Sequence, residues 1–312
     1  MSTTLRRAWL GILRRTGCKS FVTRSGLGHH YVCHVGDSLG ENPYYNRDAF
    51  RGELEVCAAW LRGDDKPVVF DVGANVGFWS THLAQMIAAR SPQIYAFEPV
   101  PPTFGKLLES VERLGLASAV HPVAAAVLDA PRSVQLSYSP WDSLFAQVSG
   151  TGLNSRVGDR LVFAAGLTLD GFSHSLGIVP TLIKVDVEGS EVDVLRGAQR
   201  LLACEDKPAL MFEYNPLTLS EAGMGPAALQ EQLKGYALYY VDDFERQKRR
   251  MGGVVTSLSE LSWVCNIFAV PATPKAAARC AAAFSAARIR CPEGPRKPSL
   301  LGRLFLALRR RR

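Results

Sequence analysis

The chain has 312 residues, 47% of them hydrophobic and 21% charged, with a formal net charge of +7. That size supports one large α/β core with extensions, and no apolar run approaches the ~20 residues that a membrane-spanning helix needs. Seven cysteines, at 18, 33, 57, 204, 265, 280 and 291, form no C-x-x-C pair. They read as reduced cytosolic thiols, which argues against a disulfide framework or a zinc site.

The first fifty residues carry little regular pattern and are expected to form an N-terminal extension or cap. Arg6, Arg7, Arg14 and Arg15 interrupt Met1 to Gly17, which disfavours a cleaved signal peptide. The positive charge gathers at the two ends, there and at Arg303 and Arg309 to Arg312. Nucleic acid is the first partner such a balance suggests. The basic residues are interleaved with Trp9, Leu10, Ile12 and Leu13, or with Leu300, Leu301, Leu304, Phe305, Leu306 and Leu308, a composition that suits peripheral contact with an anionic membrane surface. Solvated, frayed ends are an equal alternative. Tyr31 to Val35 suggests a short strand. His29, His30 and His34 lack spaced partners that would complete a metal site. Arg51 to Arg62 reads as a helix, with Glu53 near its start as a cap or, second, as a ligand-facing group.

Val68 to Ser80 is the stretch around which the chain is organised. Val68-Val69-Phe70-Asp71-Val72 suits a strand buried on both faces; Gly73-Ala74-Asn75-Val76-Gly77 breaks it, and a helical pattern resumes at Phe78. Glycines at 73 and 77 permit a tight bend and let a ligand approach the main chain near free helix amides. The pattern D-x-G-x-N-x-G departs from the G-x-G-x-x-G of a dinucleotide cradle. A second strand, Ile94 to Phe97, ends in Glu98, 21 residues after Gly77, where a carboxylate can hold a ribose. Asp71 and the altered loop favour S-adenosylmethionine, whose sulfonium and ammonium are cationic.

Pro101 to Leu116 reads as a helix, Ala119 to Val127 as a third strand with its exit loop, and Ser133 to Tyr138 as a strand. Ser139 to Gly158, with Trp141-Asp142-Ser143, is expected to be a lid or an irregular loop. A helix follows Thr168. Thr181 to Val185 is a fourth strand that runs into Asp186, Glu188 and Glu191. Lys184, Asp186 and Glu188 alternate and are expected on one face at the strand's carboxyl end. In open parallel sheets ligands bind beyond those ends. Pro208 to Tyr214 is a fifth strand carrying Glu213, and Tyr236 to Val241 with Trp263 to Val270 can close the sheet. Asp242 to Gly253 reads as an exposed loop. From Thr273 the Ala/Arg-rich sequence is expected to leave the domain as a basic tail.

These motifs resemble the FkbM family of S-adenosylmethionine-dependent methyltransferases. The likeness rests on Asp71 to Gly77, Phe97-Glu98-Pro99, Thr168-Leu169-Asp170, Ile183 to Glu191, Leu195 to Ala198, Phe212-Glu213 and Asn266 to Pro271, and spans roughly residues 50 to 271. The resemblance implies a class I methyltransferase, Rossmann-like and doubly wound, with a mostly parallel seven-stranded sheet and helices on both faces, over residues 51–272. It places the methionine part of the cofactor on the 71–77 loop and the ribose on Glu98, with Pro99 and Asp186 adjoining. It also points to O-methylation, commonly of a sugar hydroxyl in a glycolipid, surface glycan or natural product.

Methyl transfer is an in-line displacement at an already activated carbon, so the protein's task is chiefly to hold an oxygen opposite the leaving sulfur and to receive its proton. Asp186 is the first candidate for base or anchor, with Glu188 and Lys184 beside it and Ser143, Glu191 and Glu213 as substrate contacts. A magnesium ion bridging Asp186 and Glu213 is a lesser alternative, because no full ligand set is visible. Three rivals are a nicotinamide oxidoreductase, a nucleic-acid methyltransferase and a non-catalytic membrane-associated adaptor. The shifted glycines disfavour the first. The second lacks an N-P-P-Y-type tetrapeptide after the fourth strand. The third has no need of Asp71, Glu98 and Asp186 together. The expected location is the cytoplasm, with the inner face of a membrane as the alternative that the termini raise.

Overall fold

The computed structural model describes residues 2–139, 143, 146–148, 160–242 and 251–289. In chain order, helix α1 (Thr3–Arg15) precedes an antiparallel hairpin, β1 (Ser20–Arg24) and β2 (His30–His34), and helices α2 (Ser38–Tyr45) and α3 (Arg51–Leu61). Then come β3 (Val68–Val72), α4 (Phe78–Met86), β4 (Gln93–Phe97), α5 (Pro101–Arg113) and β5 (Val120–Val123). Strands β6 (Ala126–Val127), β7 (Arg132–Tyr138), β8 (Ala146–Val148) and β9 (Arg160–Leu167) form a separate small sheet in the order β6-β9-β7-β8. The remainder is α6 (Leu169–Leu176), β10 (Leu182–Val185), α7 (Glu191–Arg196), α8 (Gln199–Ala203), β11 (Ala209–Tyr214), α9 (Pro216–Glu221), α10 (Pro226–Glu231), β12 (Tyr236–Asp242), β13 (Met251–Val255), β14 (Cys265–Pro271) and α11 (Pro274–Ala286).

The main sheet has eight strands in the order β13-β12-β14-β11-β10-β3-β4-β5. From β5 to β11 the pairs are parallel, and β14 inserts antiparallel between β11 and β12. Strand order reverses between β3 and β10, which opens a crevice beyond their carboxyl ends. The seven strands expected are present. The eighth, β13, pairs with the outer edge of β12 and takes up Met251 to Gly253, which the sequence reading assigned to a loop.

Alternation along the strands divides the core into two layers. Val69, Leu182, Met211, Phe268 and Val270 pack with α3, α4, α5 and α11, whereas Phe70, Val72, Ile183, Val185, Leu210 and Phe212 pack with α6 to α10. Because both faces are covered, the central strands read as apolar runs. The period of two assigns Asp71, Lys184, Asp186 and Glu213 to the same side as α3 and α4, where they interrupt the first apolar layer.

Two boundaries differ from expectation. The N-terminal segment shares the main core, with Leu10, Tyr31, Cys33 and Tyr44 buried in the first layer. At the other end α11 does not leave the domain. Its Cys280, Ala283 and Phe284 are buried, and Arg279 donates to the Trp60 carbonyl at 2.9 Å and pairs with Asp64. An alanine-rich helix carries few large apolar residues to mark a buried face in sequence, yet its small side chains permit close packing on α3. Most of the segment from Ser139 to Gly158 lies outside the described residues, as do Asp242's loop residues 243–250 and the basic segment from 290 onward. Among the described residues the six cysteines are free, and no helix is long and apolar enough to cross a membrane.

Candidate functional site

The centre of the crevice is a buried chain of charge. Asp71, at the penultimate position of β3, faces Lys184, at the same position of β10, in register across the parallel pair. The Lys184 ammonium lies 3.3 Å from Asp71 Oδ1 and 3.2 Å from Asp186 Oδ2. Side-chain exposure rises along the chain from 0% at Asp71 through 6% at Lys184 to 35% at Asp186, so Asp186 is the member that reaches the open face. Burial by itself lowers the lysine pKa, but Asp186, Asp71 and the buried Glu53 of α3 outweigh it, and the ammonium is held well above its ordinary value. Lys184 is thus a fixed cation. Its Nζ also stands 5.8 Å from the Trp79 ring centroid.

Asp71 therefore serves the site from beneath. It is completely enclosed, and its second oxygen accepts a 2.6 Å hydrogen bond from Ser80 Oγ in α4. The sequence reading put its carboxylate against the cationic cofactor; in the fold that charge is met by Lys184. Glu53 likewise departs from its expected capping role. The N-cap of α3 is Phe50 with no side-chain hydrogen bond, and Glu53 is buried within range to act on Lys184.

The glycine loop follows. The amides of Gly73 and Ala74 both donate to the Phe97 carbonyl, at 3.1 and 2.9 Å, which ties β3's exit to the end of β4. Gly73 has φ +80, and a Cβ there would stand 2.0 Å from the Asp186 carbonyl oxygen, so only glycine allows the two loop backbones to meet. Asn75 adopts a left-handed φ of 52, which asparagine tolerates better than most residues. Its backbone N–H donates to Glu98 Oε2 at 3.1 Å, and Val100 N–H donates to Glu98 Oε1 at 2.9 Å. A carboxylate has about four acceptor positions. With one amide on each oxygen, Glu98 keeps capacity for the two hydroxyls of a ribose. Burial raises its pKa to about 7, with the two amides opposing. Pro99, half-buried, turns the chain into α5.

A second group of residues clamps this loop. Asn75 Nδ2 donates to the Ser143 carbonyl at 2.9 Å. Ser143 donates in turn through its N–H and its hydroxyl to the two oxygens of Asp37, at 3.2 and 2.8 Å. Asp37 also accepts from Gly40 N–H as the N-cap of α2 and pairs with Lys106. Its carboxyl is buried, which alone would raise the pKa; Lys106 and these donors overcome that and hold it below the usual value. Ser143, expected at the substrate, is instead buried and fully engaged in this clamp. Sequence reasoning missed Asp37, Lys106 and Ser80. No local signal could have found Asp37, since 106 residues separate it from Ser143.

Beyond β10 the alternation stops. Glu188 does not share the strand face of Lys184 and Asp186, because it lies in a turn with φ 47, followed by Gly189 at φ +101. Glu191 Oε1 accepts from Gly189 N–H at 3.0 Å and fixes that turn, while its buried Oε2 has no hydrogen-bond partner among the described residues. Burial raises the Glu191 pKa to about 7. Glu213 follows Phe212, the register partner of Val185, so it stands level with Asp186 on the adjacent strand, opposite Asn266 of β14. Among the described residues no group of three or more His, Cys, Asp or Glu side chains is placed to hold a metal ion. A divalent cation on Asp186 would also stand beside the Lys184 ammonium, which the residues present do not favour.

A mostly parallel sheet with one antiparallel insertion, a glycine loop after β3 and a buried acid after β4 define a nucleoside-cofactor-binding protein of the class I methyltransferase type. The FkbM methyltransferase domain matches residues 71–236, more than half of the chain, and the protein belongs to that family of S-adenosylmethionine-dependent methyltransferases. It is 30% identical over 154 residues to hexuronic acid methyltransferase AglP of Haloferax volcanii, covering 49% of this chain and 59% of that protein. It is 30% identical over 162 residues to Methyltransferase 1 of Beauveria bassiana, covering 46% and 63%. The matches thus span about three fifths of these relatives. Among solved structures it is similar to an FkbM methyltransferase from Methylobacillus flagellatus, with 17% identity, TM-score 0.42 and coverage of 74% and 52%. A precorrin-6y C5,15-methyltransferase from Geobacter metallireducens gives 15% identity, TM-score 0.37 and coverage of 70% and 86%.

Proposed function

We propose that the protein transfers the methyl group of S-adenosylmethionine to a hydroxyl of a sugar, in a glycolipid, surface glycan or natural product. The observation that carries this reading is the rise in exposure from Asp71 through Lys184 to Asp186. It leaves one carboxylate at the mouth of the crevice, on the side of the glycine loop where Gly73 meets the Asp186 backbone. A sugar substrate draws support from the hexuronic acid methyltransferase among the relatives.

The cofactor supplies a methyl group already activated by its sulfonium, and the chain's residues supply position. Gly73, Asn75 and Gly77 shape the loop, and Glu98 accepts the ribose hydroxyls. Asp186 accepts the hydrogen bond of the acceptor hydroxyl and takes its proton as the new C–O bond forms. Lys184 is a positioning residue that keeps Asp186 aimed, and Asp71 and Ser80 hold Lys184. Glu188 and Glu213 border the acceptor on either side of Asp186. Glu191, buried, sets the Glu188 turn. The acceptor's chemistry is that of an alcohol, so water must be kept out while the hydroxyl enters; the Asp37–Ser143 clamp holds Asn75 of the glycine loop.

The test is labelled-methyl transfer into fractionated lipid, polysaccharide and small-sugar extracts, comparing the parent with Asp186→Asn. Transfer into sugar that falls at least about a hundredfold in the variant, with cofactor affinity within a few-fold of the parent, is the expected result. Label entering only RNA or DNA, or an Asp186→Asn protein as active as the parent, would overturn it.

A further inference from the structure

Helix α1 is fastened to the body along one side and bare along the other. Leu10 is its buried residue; Arg6 donates to the Tyr44 carbonyl at 3.2 Å, Arg14 pairs with Glu41, and the Arg7 guanidinium stacks 4.7 Å from the Tyr45 ring centroid. These contacts fix the helix on α2. On the far side Leu5, Trp9 and Ile12 are 58%, 44% and 50% exposed, at the spacing i, i+4, i+7 that lines up one stripe along a helix. Single exposed apolar residues are ordinary, but three aligned large ones centred on a tryptophan form a ridge. The helix contains four arginines and no acidic residue, and Arg15 stays exposed beside the ridge, whereas Arg7 lies on the side turned to α2.

We propose that α1 docks this protein on an anionic lipid bilayer, with Leu5, Trp9 and Ile12 entering the headgroup boundary and Arg15 meeting lipid phosphates. Charge selects this occupant. A second copy applied through the same stripe would set two arginine-bearing helices against each other, whereas an anionic surface neutralises them. A convex ridge with a central tryptophan also suits the soft interface of a membrane, where an indole prefers to lie. Because α1 rests on α2, whose N-cap Asp37 holds Ser143 against Asn75, the docked face is mechanically continuous with the cofactor loop. The docking stands whether the methyl acceptor is lipid-linked or free.

The experiment is co-sedimentation of the full chain with vesicles of phosphatidylcholine alone or mixed with phosphatidylglycerol. The parent should bind the anionic vesicles and largely release them near 1 M salt, where screening falls to about 3 Å. Trp9→Glu with Ile12→Glu should weaken binding at least about tenfold, and separately Arg15→Glu should weaken it several-fold. All three positions are exposed and lie off the side that holds α1 on α2, so cofactor affinity should not move, which controls for folding. The basic residues from 299 to 312 remain in every variant. Parent-like binding by both variants would assign the membrane contact to that segment and overturn the proposal. Equal binding to neutral vesicles would overturn it as well. So would a dimer in sedimentation velocity that Trp9→Glu dissociates while vesicles bind neither form.

Discussion

The side-chain amide of Asn75 donates to the backbone carbonyl of Ser143 at 2.9 Å, joining the glycine loop to a residue 68 positions further along the chain. The same asparagine presents its backbone N–H to Glu98. One residue therefore connects the expected ribose acid to a clamp whose far end is Asp37, in the segment ahead of the matched methyltransferase domain.

Loosening that clamp should weaken cofactor binding without touching the cofactor's own contacts. Asp37→Asn removes the charge that pairs with Lys106 and is expected to cost about 1–3 kcal/mol of stability, with about a tenfold loss of affinity for the nucleoside thioether product. Calorimetric titration measures it. Combined with Asn75→Ala, the two losses should be less than additive, because both act through Ser143. Full additivity would mean that the clamp does not communicate with the loop.

Gly73 and Gly77 both have positive φ but should respond differently to alanine. At Gly73 the new Cβ meets a backbone oxygen, Asp186 O at 2.0 Å; at Gly77 it meets the end of a side chain, Leu107 Cδ1 at 2.5 Å, which can rotate. Gly73→Ala should cost about 3 kcal/mol or more and abolish cofactor binding, and Gly77→Ala should cost roughly half that and leave weakened binding. Chemical denaturation beside titration would show the contrast; equal losses would contradict the close approach of the two loops.

The raised pKa of Glu98 predicts a definite pH dependence. In the unfolded chain a glutamate releases its proton near pH 4.5, and in the empty folded protein near 7. Between those values the folded state holds the extra proton, so this group's contribution to stability is complete below about 4.5 and fades as pH rises through about 7. Measured against Glu98→Gln, the parent's relative stability should fall across that window. Cofactor affinity should run the other way, rising from pH 6 toward 8 as the carboxylate that accepts the ribose hydroxyls becomes ionised. A flat affinity profile would remove Glu98 from the cofactor site.

Much of the fold was legible because both faces of the central sheet are buried. Val68 to Val72, Gln93 to Phe97, Leu182 to Val185 and Ala209 to Tyr214 each stand out as short apolar runs, and each ends in a residue of the site or just before one. Glycine spacing at 73 and 77 and the acid at 98 are local properties of a turn and a strand end, so they stand out from sequence alone. Less visible were β13, which depends on pairing to an edge, and the packing of α11 on α3, which depends on small side chains meeting a distant partner.

What the sequence determined by itself was the family, the glycine loop after β3 and the set of acids at the strand ends, because these are fixed by periodicity and near-neighbour spacing. Only the tertiary structure decided where each acid sits and what it pairs with. It enclosed Asp71 and spent its charge on Lys184, brought Asp186 to the open face, turned Glu188 out of the strand and gave Ser143 to Asp37. Those assignments depend on burial and on contacts between residues far apart in the chain, which no local spacing records.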